Sequence, residues 1–271
     1  MNSIRKTVIL ISLVLICLTG SAPAGVSNEQ LFSLFSQANE AFRQANSTAN
    51  NSEQQKLYEK SILLYEKIIN EGRIRNSKLY YNLANACLLK GDIGKAVLNY
   101  RRAENLDRTD VNIRKNLAFA LAGRLDKVEP KTEKRILRTL FFWHYDLPIK
   151  TRFALACICF ALLCIGLTVM IWFGRTASMT VMSVVCCILT VCFLISVIFE
   201  SYTQAENVRG VITAAEIIAH QGDGQNYPPS FKDPLHAGTD FELIEHRTGW
   251  FHIRLVNDTD GWIPDSSAEL L

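Results

Sequence analysis

Six cysteines, Cys157, Cys159, Cys164, Cys186, Cys187 and Cys192, fall in two apolar stretches, where a chain of thiols could relay electrons through a membrane. Such exchange needs a thiolate that a second thiol can reach. The spacing gives no Cys-x-x-Cys pair, and once a leader is removed only Cys87 remains outside those stretches, so no exposed pair can receive the electrons. Packing as small polarizable hydrophobes is the favoured role. Four of the five histidines, His220, His236, His246 and His252, gather toward the C-terminal end, but their spacing fits no zinc pattern. The chain has no His-Glu-x-x-His, Gly-x-Ser-x-Gly, P-loop or Cys/His nucleophile arrangement. The residues therefore predict no enzyme, no metal site and no cofactor.

Side chains suited to holding a partner are more evident. Residues 28–126 read as wholly helical, and Ser77–Asp110 has the 34-residue length of a tetratricopeptide (TPR) repeat. Tyr80, Leu83, Ala84 and Cys87 fill the landmark positions of its first helix, Gly91-Asp92 makes the turn, and Ala96, Tyr100 and Ala103 follow on the second. The alanines let two helices approach closely and the tyrosines fill the space between repeats. Arg108 replaces the usual terminal proline and Cys87 an aromatic, so the repeat is recognisable but imperfect. An earlier repeat is split: Ala38–Phe42 matches a first helix and Tyr58, Ser61, Tyr65 and Ile68 a second, with polar Asn46–Ser52 between them read as a loop. Val111–Leu121 is a closing helix, with Leu117 and Ala118 at the matching positions. First helices line the concave face of such repeats. The groove positions are then Asn39, Lys78, Tyr81, Asn82, Asn85, Leu88 and Asn116, suited to an extended peptide or a partner helix unless the chain fills the groove itself. Phe35 and Asn112 occupy the positions that would be basic in a carboxylate clamp, which argues against that ligand.

Residues 208–271 change to a β pattern. Phe251, Ile253 and Leu255 alternate with Trp250, His252 and Arg254, the turn 257–261 comes next, and Gly261-Trp262-Ile263-Pro264 forms a strand ending at proline. The run Gly249–Leu255 with this ending resembles bacterial SH3 domains, small all-β barrels that bind cell-wall peptides or proteins. Trp250 and Trp262 are the candidate ligand-binding residues there, with barrel packing as the alternative.

Between these modules lie 153–173 and 179–199, each uncharged and about the length that crosses a hydrocarbon core. The five-residue connection at 174–178 requires an antiparallel hairpin, so both modules face the same compartment. The spans hold only Thr168, Thr180, Ser183, Thr190 and Ser196 besides apolar side chains, glycine and cysteine, which argues against an ion pathway. At the start, Arg5 and Lys6 precede a short apolar run, and Ala22 and Ala24 satisfy the small-residue rule, so 1–24 reads as a cleaved signal peptide that sends residues 25–150 outward. Ile16 before Cys17 excludes a lipidation site. The basic residues Lys134, Arg135, Arg138, Lys150 and Arg152 argue for the opposite orientation. The signal peptide is given more weight, because charge bias is weak for long translocated regions. Residues 127–152 form a linker whose aromatic-rich part, 135–148, suits either a helix in the headgroup layer or a simple aromatic belt. The net charge of +3 is too small and dispersed for a nucleic-acid partner.

The order of signal peptide, two TPR units, Val128-Glu129-Pro130 linker, paired spans and SH3-like end resembles the BatE family of the bacterial aerotolerance operon. The phrases Tyr80–Ala86 and Gly91–Ala96 carry most of that likeness. The resemblance implies a noncatalytic, membrane-anchored scaffold in the bacterial inner membrane with its soluble parts in the periplasm. Its implied partners are Bat proteins bearing von Willebrand factor A domains and a MoxR-type ATPase, in an envelope complex for stress tolerance. A peptidoglycan-binding sensor acting through the SH3-like domain is the alternative.

Overall fold

The structure is a computed structural model that describes residues 27–126, 128, 136–137, 139–145, 147–206 and 208–271. The expected signal peptide at 1–24 and the linker residues Glu129, Pro130, Lys134, Arg135 and Arg138 lie outside them. The chain divides into two compact units between Arg75 and Asn76.

The first unit is a helical hairpin. Helix α1 (Asn28–Ser47) opens with a capping box, in which Ser27 Oγ accepts from Gln30 N–H and Gln30 Oε1 accepts from Ser27 N–H. Helix α2 (Asn51–Gly72) is capped by Asn50, whose side chain accepts from the amides of Ser52 and Glu53. The expected loop 46–52 thus shrinks to 48–50. Polar composition was a poor guide because Asn46 has a use inside the helix, accepting from Tyr58 Oη at 2.7 Å, while Asn50 starts the next one. Ala38, Ala41 and Ala45 bring α1 close to Tyr58, Ile62, Tyr65 and Ile68, and Ser61 donates to the Ala38 carbonyl.

The second unit begins with α3 (Ser77–Lys90), α4 (Ile93–Leu106) and α5 (Val111–Ala122). Gly91, at φ +93°, ends α3 in a left-handed conformation that favours glycine, and Asp92 caps α4 through Lys95 N–H. Tyr80, Leu83, Ala84 and Cys87 are buried, as are Ala96, Tyr100 and Ala103. Leu117 is buried too, but Ala118 is exposed, because the apolar stripe of α5 runs through Ile113, Leu117 and Ala120.

After the short helix α6 (Phe142–Tyr145), α7 (Ile149–Phe173) and α8 (Ala177–Glu206) form an antiparallel pair, each long and apolar enough to cross a membrane. Both outrun the uncharged stretches, since helical hydrogen bonding does not stop where hydrophobicity does. Within the uncharged stretches the polar side chains turn inward or back on the helix. Ser183, Thr190 and Ser196 are buried, Thr190 and Thr168 donate to the carbonyls four residues earlier, and Gly166 gives Ser183 its space. Cys157, Cys164 and Cys187 lie on the outer surface of the pair.

Strands β1 (Arg209–Ile212), β2 (Glu216–Ile217), β3 (Leu235–His236), β4 (Asp240–Arg247), β5 (Trp250–Leu255), β6 (Asp260–Pro264) and β7 (Ala268–Leu270) complete the chain. Five form an antiparallel sheet in the order β6-β5-β4-β1-β7, and β2 pairs with β3. The alternation read from the sequence is realised. Phe251, Ile253 and Leu255 enter a core with Ile212, Phe241 and Ile263, while Trp250, His252 and Arg254 point away from it. Asp258, at φ +63°, makes the β5–β6 turn, and β6 ends at Pro264 as expected.

The sheet rests on α4. A Cβ on Gly94 would lie 2.9 Å from Thr213 Cα and 3.0 Å from the Ile212 carbonyl oxygen, so only glycine permits this approach. Gly94→Val in the full chain is expected to lower stability by about 1–3 kcal/mol in chemical unfolding, because backbone rather than a movable side chain opposes the added atoms. An unchanged midpoint would show that the sheet does not depend on this contact.

Candidate functional site

On α3 and α5 three of the polar residues singled out from the sequence, Tyr81, Asn85 and Asn116, form a connected cluster. Asn116 Nδ2 donates to Tyr81 Oη at 3.0 Å and to Asn85 Oδ1 at 2.9 Å, and Tyr100 Oη of α4 donates to Asn85 Oδ1 at 2.5 Å. The Tyr81 and Tyr100 rings meet at 6.0 Å. Burial pushes the Tyr100 hydroxyl well above its usual range, so it remains a proton donor. Asn82, Asn85, Leu88 and Asn116 are half-buried and Lys78 is exposed. The cluster holds its amides and hydroxyl in fixed directions while leaving part of each accessible. Asn39 belongs to the first unit, where its Oδ1 accepts from Tyr65 Oη at 2.6 Å. The same device therefore occurs in both helical hairpins: an asparagine next to a fully buried alanine (Ala38, Ala84) accepts from a buried tyrosine on the next helix.

Helix α4 uses two faces. Ala96, Tyr100 and Ala103 pack toward α3, whereas Gly94, Arg101, Arg102 and Asn105 address the sheet. Arg101 Nε and Nη2 reach both Asp240 oxygens at 2.9 Å, and Arg124 approaches the same carboxylate at 3.3 Å. Arg102 donates to the Leu270 carbonyl at 2.8 Å, and Arg209 to Asn105. Asp126 accepts from His236 N–H, the His236 ring and the Thr239 hydroxyl at 2.6–2.7 Å. Burial opposes ionisation of Asp126, but these bonds outweigh it and hold the carboxyl below its ordinary range.

The two tryptophans differ in access. Trp262 is 7% exposed, with the His252 ring stacked on it at 4.6 Å and the Arg247 guanidinium 4.6 Å from its centroid. Trp250 is half-buried, edge-on to His220, whose Nδ1 lies 2.8 Å from the Tyr227 carbonyl, and the Tyr227 ring is exposed. Trp250 and Tyr227 thus remain partly accessible, whereas Trp262 is covered.

Reading the sequence missed an ionic clamp where the hairpin meets the helices. Arg152 has no solvent exposure. It donates to Glu200, to Ser196 Oγ at 2.5 Å and to the Leu147 carbonyl at 3.0 Å, and its Nη1 lies 3.1 Å from His144 Nδ1. Glu200 also accepts from Arg108, the residue that departs from the repeat pattern at the α4–α5 turn. The available signal was position: Arg152 and Glu200 flank the uncharged cores of the two spans. A buried charge that loses its partner costs about 3–5 kcal/mol. Glu200→Gln is accordingly expected to lower unfolding stability in detergent by an amount of that order and to expose the 106–110 turn to protease; wild-type behaviour in both would remove the clamp's structural role.

No protein-family model matches the chain, and no curated protein matches it.

Proposed function

We propose that this chain is a noncatalytic membrane scaffold. In this reading 28–126 is a TPR module and 208–271 an SH3-like barrel. The hairpin anchors both in the bacterial inner membrane with the soluble parts periplasmic, in keeping with the signal peptide. The supporting observation is the division of labour on α4. The sheet takes one face and α3 the other, while Tyr81, Asn85 and Asn116 stay partly accessible on α3 and α5 with their hydrogen bonds already oriented. Preorganised amides of this kind suit the backbone of an extended peptide, because little side-chain freedom is lost on binding. The resemblance to BatE proteins supplies candidate partners: von Willebrand factor A domain Bat proteins, and the MoxR-type ATPase associated with them, in a stress-tolerance complex of the envelope.

Purification of the full chain in mild detergent should recover a von Willebrand factor A domain protein, and replacing Tyr81, Asn82 and Asn85 together by alanine should abolish that recovery. Undiminished recovery by the triple variant would overturn the groove assignment.

A second reading is favoured by one feature, the accessible Trp250–Tyr227 surface beside His220, which suits stacking on a sugar or peptide of peptidoglycan. Under it, the detergent-solubilised full chain sediments with purified sacculi and Trp250→Ala does not; a chain that stays in the supernatant counts against the sensor.

A further inference from the structure

The segment just before α7 has an arrangement that neither anchoring nor partner binding uses. Ile136, Leu137, Leu140, Phe141 and Phe142 are each 45–65% exposed, a run of large apolar side chains without cover. Water is a poor solvent for such a run. Beyond Phe142 the chain does not leave the hairpin but lies along it. Trp143 meets Phe193 edge-on at 5.7 Å, and His144 reaches Ser196 Oγ at 2.7 Å and Phe199 at 5.9 Å. From Phe199 back to Phe193 is six residues, about 9 Å along the axis of α8 toward its middle.

Backbone that departs from a long helix at membrane depth is tolerated only where its polar groups are met within the protein. Here they are. Phe141 N–H donates to the Leu137 carbonyl and His144 N–H to the Phe141 carbonyl. At the bend into α7, Arg152 supplies a donor to the Leu147 carbonyl and meets His144 Nδ1, while Glu200 balances its charge. One buried guanidinium thus accounts for both a carbonyl and a ring nitrogen at the bend.

We propose that residues 136–137 and 139–144 form a wedge inserted into the acyl chains of the leaflet on the module side, with Arg152 as the positioning residue that makes the bend compatible with lipid. The partner is the hydrocarbon of that leaflet, since the exposed apolar run is continuous with the surface of the two spans. The proposal rests on reading α7 and α8 as membrane spans.

The test uses the full chain in phosphatidylcholine vesicles. Retention after alkaline carbonate extraction reports the spans. The wedge is reported by the emission of Trp143, obtained as wild type minus Trp143→Phe. In vesicles of acyl-brominated phosphatidylcholine that difference emission should fall about two-fold, as expected of a ring among the acyl chains, and aqueous acrylamide should leave it unchanged. Arg152→Gln should shift the same emission to the red and open it to acrylamide, whereas Arg152→Lys should do so less. A retained chain whose Trp143 is quenched by acrylamide and not by bromine overturns the wedge and leaves the spans intact. Quenching by neither agent also overturns it, because a protein surface would then cover the run. Release by carbonate overturns the span reading and the wedge with it.

Discussion

A guanidinium with no access to water must find all its partners inside the fold, and Arg152 is in that position at the mouth of an apolar hairpin. Burying such a charge costs several kcal/mol unless a counter-ion and further hydrogen bonds offset it. Glu200, Ser196, His144 and the Leu147 carbonyl do so, drawn from α8, from α6 and from the bend before α7. These contacts specify the register of the two long helices at their open end. Elsewhere the pair meets mainly through small residues, with Gly166 facing Ser183 and Ala156 and Cys186 buried, and small-residue packing alone permits sliding.

Through Glu200 the same clamp extends to Arg108, and from there the second unit is tied together by further ion pairs. Arg101 and Arg124 share Asp240, Arg102 reaches Glu269, and Asp126 holds His236 and Thr239. Most of these groups are only partly exposed, so their pairing is less screened than that of surface ions. Gly94 lets α4 and the sheet backbone touch, and the charges around that contact fix the angle at which they do. Helices α3, α4 and α5, the hairpin and the sheet are thereby parts of one compact unit.

Much was legible in the residues. The repeat landmarks and the Gly91-Asp92 turn placed α3 and α4 closely, because local hydrogen bonding and burial agree there. The alternation from Trp250 to Leu255 assigned the inner and outer faces of β5, and two uncharged stretches separated by a five-residue turn required an antiparallel pair. The loop at 46–52 was overstated because Asn46 finds a tertiary partner in Tyr58 that composition does not reveal. Of the site residues, Tyr81, Asn85 and Asn116 proved to be joined, whereas Trp250 and Trp262 differ in access for a reason absent from their spacing: the His252 ring and the Arg247 guanidinium cover only the second.

By itself, then, the sequence determined the kinds of element and their order, since propensity, periodicity and hydrophobic length act over short distances along the chain. Tertiary structure decided which charges meet. Arg108 reads locally as a flaw in a repeat and Arg152 as one more basic residue before a span. Each acquires its role from Glu200, which lies 92 and 48 residues away. Electrostatic pairing depends on separation in space and on the exclusion of water, and neither is encoded in the neighbourhood of any one of the three residues.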